Sequence, residues 1–175
     1  MKRKIFVLSV IMVLAWSFLV SASDQWSTSV SKDEMTGEEV WYAISPKIEA
    51  TEKMGFPYSN VKAWIGIGYD GENEWVYVGF TEAPNLLDTT IKDGYNLIKT
   101  RIKWDDNDPE YIRLTQDWGA KFLHFQNDET VISQIIKSNN LLLELNWYGE
   151  GNVYYRFPLN GSSKAIDKIY NAFEN

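Results

Sequence analysis

Between Val61 and Thr81, aliphatic residues alternate with glycines and large rings on either side of Asp70-Gly71-Glu72-Asn73. An Asp-Gly pair between two alternating runs signals a tight hairpin, because glycine adopts the positive φ such turns demand. Pairing Asp70 with Asn73 sets the register. Ile67 then faces Val76, Ile65 faces Val78 and Ala63 faces Phe80, so the aliphatic residues of both strands share one face and that face belongs to the core. On the other face Gly68 falls opposite Trp75, Gly66 opposite Tyr77 and Trp64 opposite Gly79. Each ring covers a bare backbone position, a known packing device for strand glycines.

The same period of two recurs along the chain. Leu141 to Pro158 reads as a second hairpin around Gly149-Glu150-Gly151. Pairing Tyr148 with Asn152 sets Trp147 against Val153, Leu145 against Tyr155 and Leu143 against Phe157, with Glu144 across from Arg156 as an exposed pair that marks register. Tyr95 to Trp104, Glu110 to Gln116 and Ala120 to Gln126 alternate as a meander, with turns at Asn107-Asp108-Pro109 and Trp118-Gly119. Gln25 to Val30 and Val40 to Ile44 read as two strands joined around Met35-Thr36-Gly37. Counting runs in this way gives about nine strands. Two segments switch to helical spacing: Asp128 to Lys137, with Asn127 or Asp128 as cap, and Ser162 to Phe173, with Ser162 as cap. The expected class is mainly β, of α+β type: an antiparallel β-sandwich or curved sheet carrying one internal and one C-terminal helix.

Lys2, Arg3 and Lys4 precede an apolar run from Ile5 to Val20, and Val20-Ser21-Ala22 supplies small residues for cleavage. This reads as a secretory signal over residues 1–22, leaving one domain over residues 23–175 in the periplasm or outside the cell. The apolar run falls short of the roughly 20 residues a spanning helix needs, so no permanent membrane insertion is expected after cleavage. The chain has no cysteine. Lipid attachment at a cysteine, disulfide exchange, thiol nucleophiles and cysteine-ligated zinc are thereby ruled out, and stability must rest on packing. Twenty-four acidic residues against 17 basic ones give a net charge of −7, and loss of the signal removes three of the positive charges. Such a balance argues against a nucleic-acid partner.

Few residues offer catalytic chemistry. The single histidine, His124, lies in Lys121-Phe122-Leu123-His124-Phe125 and reads as a partly buried, hydrogen-bonded strand residue. No Gly-x-Ser-x-Gly elbow and no His-Glu-x-x-His motif is present, so neither an activated serine nor a cofactor or metal site is expected. Asp105-Asp106-Asn107-Asp108-Pro109-Glu110 is rich in oxygen donors that extracellular calcium would accept, but lacks the glycine and distant glutamate of an EF-hand; a solvated turn is the favoured reading and calcium the alternative. A carboxylate-dependent glycoside hydrolase would need two acids about 5 to 9.5 Å apart in an aromatic cleft. Candidate binding residues fall in two groups. Lys99, Arg101 and Lys103 share one strand face and could bind an anionic partner, or could guard a solvated edge strand. Trp75 and Tyr77 could stack a glycan if their rings are open.

Trp26 opening the domain, Ser31-Lys32-Asp33-Glu34-Met35-Thr36-Gly37 with the strand from Val40, and Arg156-Phe157-Pro158-Leu159-Asn160-Gly161 followed by Ala165-Ile166 resemble the two ends of periplasmic VasI-type proteins associated with type VI secretion. The family's usual cysteines are missing. The resemblance implies a periplasmic, non-enzymatic accessory protein of β-rich fold that works by contact with an envelope or secretion-system protein. The expected function is accordingly an exported, non-catalytic binding or accessory protein, with a carbohydrate-binding module or a small envelope glycoside hydrolase as the alternative.

Overall fold

In the computed structural model, residues 25–174 are described; the expected signal over residues 1–22 lies outside them. Eleven strands and two helices follow in the order β1 (Ser27–Lys32), β2 (Glu39–Ile44), β3 (Ile48–Glu49), β4 (Lys62–Tyr69), β5 (Glu74–Phe80), β6 (Thr89–Lys92), β7 (Tyr95–Trp104), β8 (Glu110–Gln116), β9 (Phe122–Phe125), α1 (Asp128–Lys137), β10 (Asn140–Trp147), β11 (Gly151–Pro158) and α2 (Ser162–Asn171). The chain is mainly antiparallel β with one internal and one C-terminal helix. Two short strands, β3 and β6, raise the count above the nine expected. Neither is long enough to establish a period of its own.

All strands belong to one sheet of order β1-β2-β4-β5-β9-β8-β7-β10-β11, with β3 paired to β4 and β6 to β7. Of the two arrangements expected, the curved sheet is the one formed. It curls until its last strand meets its early part, where the Thr51 N–H donates to the Tyr154 carbonyl at 2.8 Å. The inward positions of both halves therefore meet in one core. Ile65, Val78 and Phe80 from β4 and β5 are fully buried with Leu143, Trp147 and Tyr155 from β10 and β11. The Phe80 ring sits 5.9 Å from Trp147 and 5.6 Å from Tyr155, both edge-on, a favoured aromatic geometry.

The β4–β5 register is the one its glycines demand: Ile67 faces Val76, Ile65 faces Val78, Gly66 faces Tyr77 and Trp64 faces Gly79. The β10–β11 register differs from expectation by two residues. Trp147 pairs with Gly151, Leu145 with Val153 and Leu143 with Tyr155, so Glu144 faces Tyr154 and not Arg156. Gly149 and Gly151 both take positive φ, at 82° and 74°. That lets the loop close tightly over Tyr148-Gly149-Glu150 and carries Gly151 into the ladder. Because the slip is even, every apolar residue keeps its inward face.

The helices cover the inner face near the β4–β5 turn. Val131, Ile132 and Ile135 of α1 and Ile166 and Ile169 of α2 are buried in the common core. Their starts are made differently from expectation. Asn127 precedes α1 with no side-chain cap, and the Asp128 carboxylate instead accepts the Val76 N–H at 2.7 Å, tying the helix to β5. Gly161, at φ 90°, precedes α2. Ser162 is buried, and its hydroxyl donates to the Ile135 carbonyl at 3.0 Å, joining the two helices. At the N-terminal end the Trp26 indole N–H donates to the Pro158 carbonyl at 3.1 Å.

Candidate functional site

The outer face of the sheet divides into two halves of different chemistry. In the half built by β8, β7, β10 and β11, strand parity sends Lys99, Arg101 and Lys103 outward while Ile98, Thr100 and Ile102 are buried. β7 lies inside the sheet between β8 and β10, so the expected edge strand is not formed and these cations do not guard an edge. Its neighbours add to the stripe. Lys99 faces Arg113 and Arg101 faces Tyr111 on β8, while Leu142 of β10 lies between Lys103 of β7 and Arg156 of β11. The three arginines beyond residue 22, namely Arg101, Arg113 and Arg156, thus all sit on this one face.

Glu144 is the carboxylate set among them. It receives the Arg101 guanidinium through Nε at 2.9 Å and Nη2 at 2.5 Å. The Arg101 hydrogen bonds hold its carboxyl below the usual carboxylate range, and the same contact raises the Arg101 guanidinium further. The adjacent Tyr154 hydroxyl is pushed up, chiefly by its hydrogen bond to Glu144. Lys99 places Nζ 4.9 Å from the centre of the Tyr111 ring, a cation–π contact that holds the ammonium in place without neutralising it. Among the described residues, Lys103, Arg113 and Arg156 make no ion pair. A recess of about 100 Å³ opens here between Arg101, Lys103, Pro109, Leu142 and Tyr154. The face offers unneutralised cations around one internally compensated pair.

The other half, built by β2, β4, β5 and β9, is aromatic. Trp75 lies over Gly68, Tyr77 over Gly66 and Trp64 over Gly79, each so closely that a Cβ on the glycine would overlap the ring. Tyr42 meets Trp75 edge-on at 6.2 Å and Phe122 meets Tyr77 edge-on at 5.3 Å. Tyr77 is only 9% exposed, and burial pushes its hydroxyl up. Its ring face is closed to a stacking sugar, and Trp75 is half-buried. Trp75 and Tyr77 on β5 are also three strand spacings from β7, about 14 Å at ~4.8 Å each. The two groups of candidate residues do not form one site.

His124 points outward beside Tyr77, 6.0 Å away between ring centres, and is exposed. The expected partial burial fails because His124 shares the outer face with Phe122, while Leu123 and Phe125 fill the core. The acidic loop spends two of its carboxylates on neighbouring segments. Asp105 accepts the N–H groups of Asn139 and Asn140 at 3.0 and 2.9 Å, and Glu110 accepts the Trp104 indole N–H at 2.8 Å. No three histidine, aspartate or glutamate side chains among the described residues are grouped to hold a metal ion. Two acids, Glu49 and Glu52, border one recess with Tyr58, but Glu49 pairs with Lys62 at 3.5 Å.

Arg113 and Arg156 escape the sequence reading because their places depend on which strands adjoin. The signal for Arg113 is present in the alternation of Glu110 to Gln116, which sends it and Tyr111 to one face; only the β7–β8 register, joining Lys99 to Arg113, makes that face continuous with the stripe.

No known family profile matches the chain, and no curated protein matches it in sequence. The fold does have a counterpart among solved structures. It is similar to that of invasion associated protein B from Bartonella henselae, with a TM-score of 0.58 over 87% of this chain and 95% of that one, at 12% sequence identity. At that identity the likeness establishes the fold alone.

Proposed function

We propose that the chain is an exported, non-catalytic binding or accessory module whose outer face at β7 and β8 docks on an acidic surface of an envelope or secretion-system protein. The observation that carries this reading is the gathering of Arg101, Arg113 and Arg156 with Lys99 and Lys103 on one face of a chain whose net charge is −7. Unpaired cations placed side by side repel one another, so such a face costs stability unless an anion meets it. Arginine suits the role because its planar guanidinium binds carboxylates through two parallel hydrogen bonds. The reading agrees with the apolar N-terminal segment and with the resemblance to VasI-type accessory proteins. The structural neighbour, an invasion associated protein, is likewise described by an association and not by a reaction.

The test is recovery of the tagged protein with its partners from its own cell envelope, beside a Lys103→Glu, Arg113→Glu, Arg156→Glu variant. Among the described residues these three cations make no ion pair, so reversing them leaves the core and the Arg101–Glu144 pair intact. A specific protein held by the parent, lost by the variant and released by added salt supports the reading. A partner retained equally by the variant overturns it. Turnover of an envelope glycan that disappears on replacing a single carboxylate overturns it as well, in favour of the hydrolase.

A further inference from the structure

The sheet ends at β1 and at β11, and the two edges are treated differently. At β11 the Tyr154 carbonyl accepts the Thr51 N–H at 2.8 Å and the Pro158 carbonyl accepts the Trp26 indole N–H at 3.1 Å. Nothing among the described residues covers β1 in that way. Its six residues pair one-to-one with β2, from Ser27 with Ile44 to Lys32 with Glu39, without a bulge. Two bonds fix which of them look outward. The Asp33 N–H donates to the Glu38 carbonyl at 2.8 Å, and on the far side of β2 the Ser45 N–H donates to the Ile65 carbonyl at 2.9 Å. Bonded pairs alternate along an antiparallel ladder, so Ser27, Ser29 and Ser31 turn their backbone groups to β2 while Thr28, Val30 and Lys32 turn theirs to the open side.

A bare, regular edge is a template for another strand, and proteins usually blunt it with proline, charge or a bulge. β1 has no proline, and its one charge, Lys32, is held by Glu39 at 2.9 Å. Val30, its one apolar residue, is 49% exposed and shares a sheet face with Trp41. Beside the start of the strand lies a recess of about 370 Å³, walled by Gln25, Ser27 and Thr28 on one side and by Lys164 and Lys168 of α2 on the other. No acid lines it, and among the described residues neither lysine makes an ion pair. The adjoining recess at Trp41 adds Asp167 to the same two lysines. The open edge thus joins free backbone, an exposed valine and a local surplus of positive charge.

We propose that β1 pairs antiparallel with β1 of a second copy of this chain, about a two-fold axis at Val30. The strand matches itself in that register. Val30 meets the partner subunit's Val30 and Thr28 meets the partner subunit's Lys32, so every residue with outward backbone groups finds another. The two valines then cover each other as a cross-strand pair. Continued past the strand, the register sets the partner's Asp33 opposite Ser27 and the partner's Glu34 opposite Trp26. These exposed acids arrive at the recess lined by Lys164 and Lys168, and the two-fold repeats the arrangement on the other side. A foreign strand would satisfy the backbone alone, whereas this chain's own sequence satisfies backbone, valine and charge together. Six-residue strands make a small interface, at the low end for specific complexes, so a weak, concentration-dependent dimer is expected. β1 lies six strands from β7 in the sheet order, and the pairing does not depend on the cationic face there.

Sedimentation velocity of residues 23–175, which contain the whole buried cluster, tests the proposal over a concentration series. A reversible monomer–dimer equilibrium is expected, half-associated between about 1 µM and 1 mM. Val30→Pro removes an N–H that faces the open side and leaves the bonds to β2 in place. It should weaken the dimer about tenfold or more, since both copies lose a bond across the axis, with the melting temperature of the monomer held. Lys168→Glu and Glu34→Lys should each weaken it, and the double variant, which restores opposite charges, should recover most of the loss. Val30→Cys places one thiol in a chain that has none. It should close a disulfide across the axis under mild oxidation, because bonded antiparallel pairs stand about 5.5 Å apart at Cα, within disulfide range. Trp118→Cys, at a side chain 89% exposed elsewhere, should cross-link far more slowly. The Lys103, Arg113 and Arg156 charge reversal should dimerise as the parent does, which separates this result from the fate of the protein-binding reading. The proposal is overturned if the parent is monomeric at about 1 mM, if Val30→Pro dimerises undiminished, if the charge exchange recovers nothing, or if the two cysteine variants cross-link alike. A monomeric parent whose envelope partner is lost on Val30→Pro would give the edge to a foreign strand and overturns it as well.

Discussion

Replacing Gly66 by alanine isolates the packing of rings over glycines in a single methyl group. The added Cβ would overlap Cζ and the hydroxyl oxygen of Tyr77 and lie 2.7 Å from Cε1, whereas carbon atoms in contact rest about 3.5 to 4.0 Å apart. The ring must therefore retreat by roughly 1 Å on that contact distance. Phe122, edge-on at 5.3 Å, leaves it little room on the far side. Forcing a methyl into packed surroundings costs about 1 to 3 kcal/mol. Gly66 does not occupy the left-handed region, so alanine meets no backbone penalty and recovers about 0.4 to 1 kcal/mol by restricting the unfolded chain. The net loss should be about 1 to 2 kcal/mol, a fall of roughly 2 to 8 °C in Tm for a domain of this size. Urea unfolding of the parent, Gly66→Ala, Tyr77→Ala and the double variant closes a cycle. With the ring gone, Gly66→Ala should be neutral or slightly stabilising, giving a coupling of about 1.5 to 3 kcal/mol between two residues in contact. The reasoning is refuted if Gly66→Ala costs the same in both backgrounds.

Gly94→Ala should lose about 1 to 2 kcal/mol in urea unfolding for a different reason: at φ 88° the backbone itself disfavours a Cβ, although nothing lies within 4 Å of it. Ser162→Ala removes the hydroxyl bond between α2 and the Ile135 carbonyl and leaves a buried acceptor unpaired, for an expected loss of about 1 to 3 kcal/mol by the same measurement. Asp105→Ala strips two backbone N–H groups of their acceptor and should lower Tm by several degrees, at about 2 to 4 °C per kcal/mol. Arg101 lowers the Glu144 pKa in the folded state, so the pair's contribution is fully present above the unfolded carboxylate value of about 4.3 and is lost as pH falls through the depressed folded value. Urea midpoints followed downward from pH 6 should show that loss in the parent and lack it in Glu144→Gln.

How far the sequence predicted the fold depended on what each signal could discriminate. In β4–β5 the glycines and rings are unlike one another, so only one register puts every ring over a glycine, and that register forms. In β10–β11 leucines, aromatics and Val153 make every buried inward position apolar, and a slip of two residues leaves the pattern unchanged. Alternation there specifies the face and not the partner. The turn decides, and Gly149 and Gly151, both at positive φ on either side of Glu150, admit more than one closure. That slip had a consequence for the site, because Glu144, assigned to Arg156 by the wrong register, is held by Arg101 across a different strand pair. Helix spans were legible from their apolar spacing, whereas their caps were not. Asp128 and Ser162 serve partners 52 and 27 residues away, which no local pattern encodes.

The same distinction explains the candidate surfaces. Lys99, Arg101 and Lys103 were visible because they alternate within one strand, but a stripe on an isolated strand cannot be told from charged solubilising residues. It becomes a two-dimensional cationic face only because β8 and β11 bring Arg113 and Arg156 alongside, and strand order is a long-range property. That face is made from positions the core does not use: outward residues of strands whose inward neighbours are buried. Their replacement should therefore alter binding while leaving the fold standing, and this separation is what allows the face to be tested by substitution.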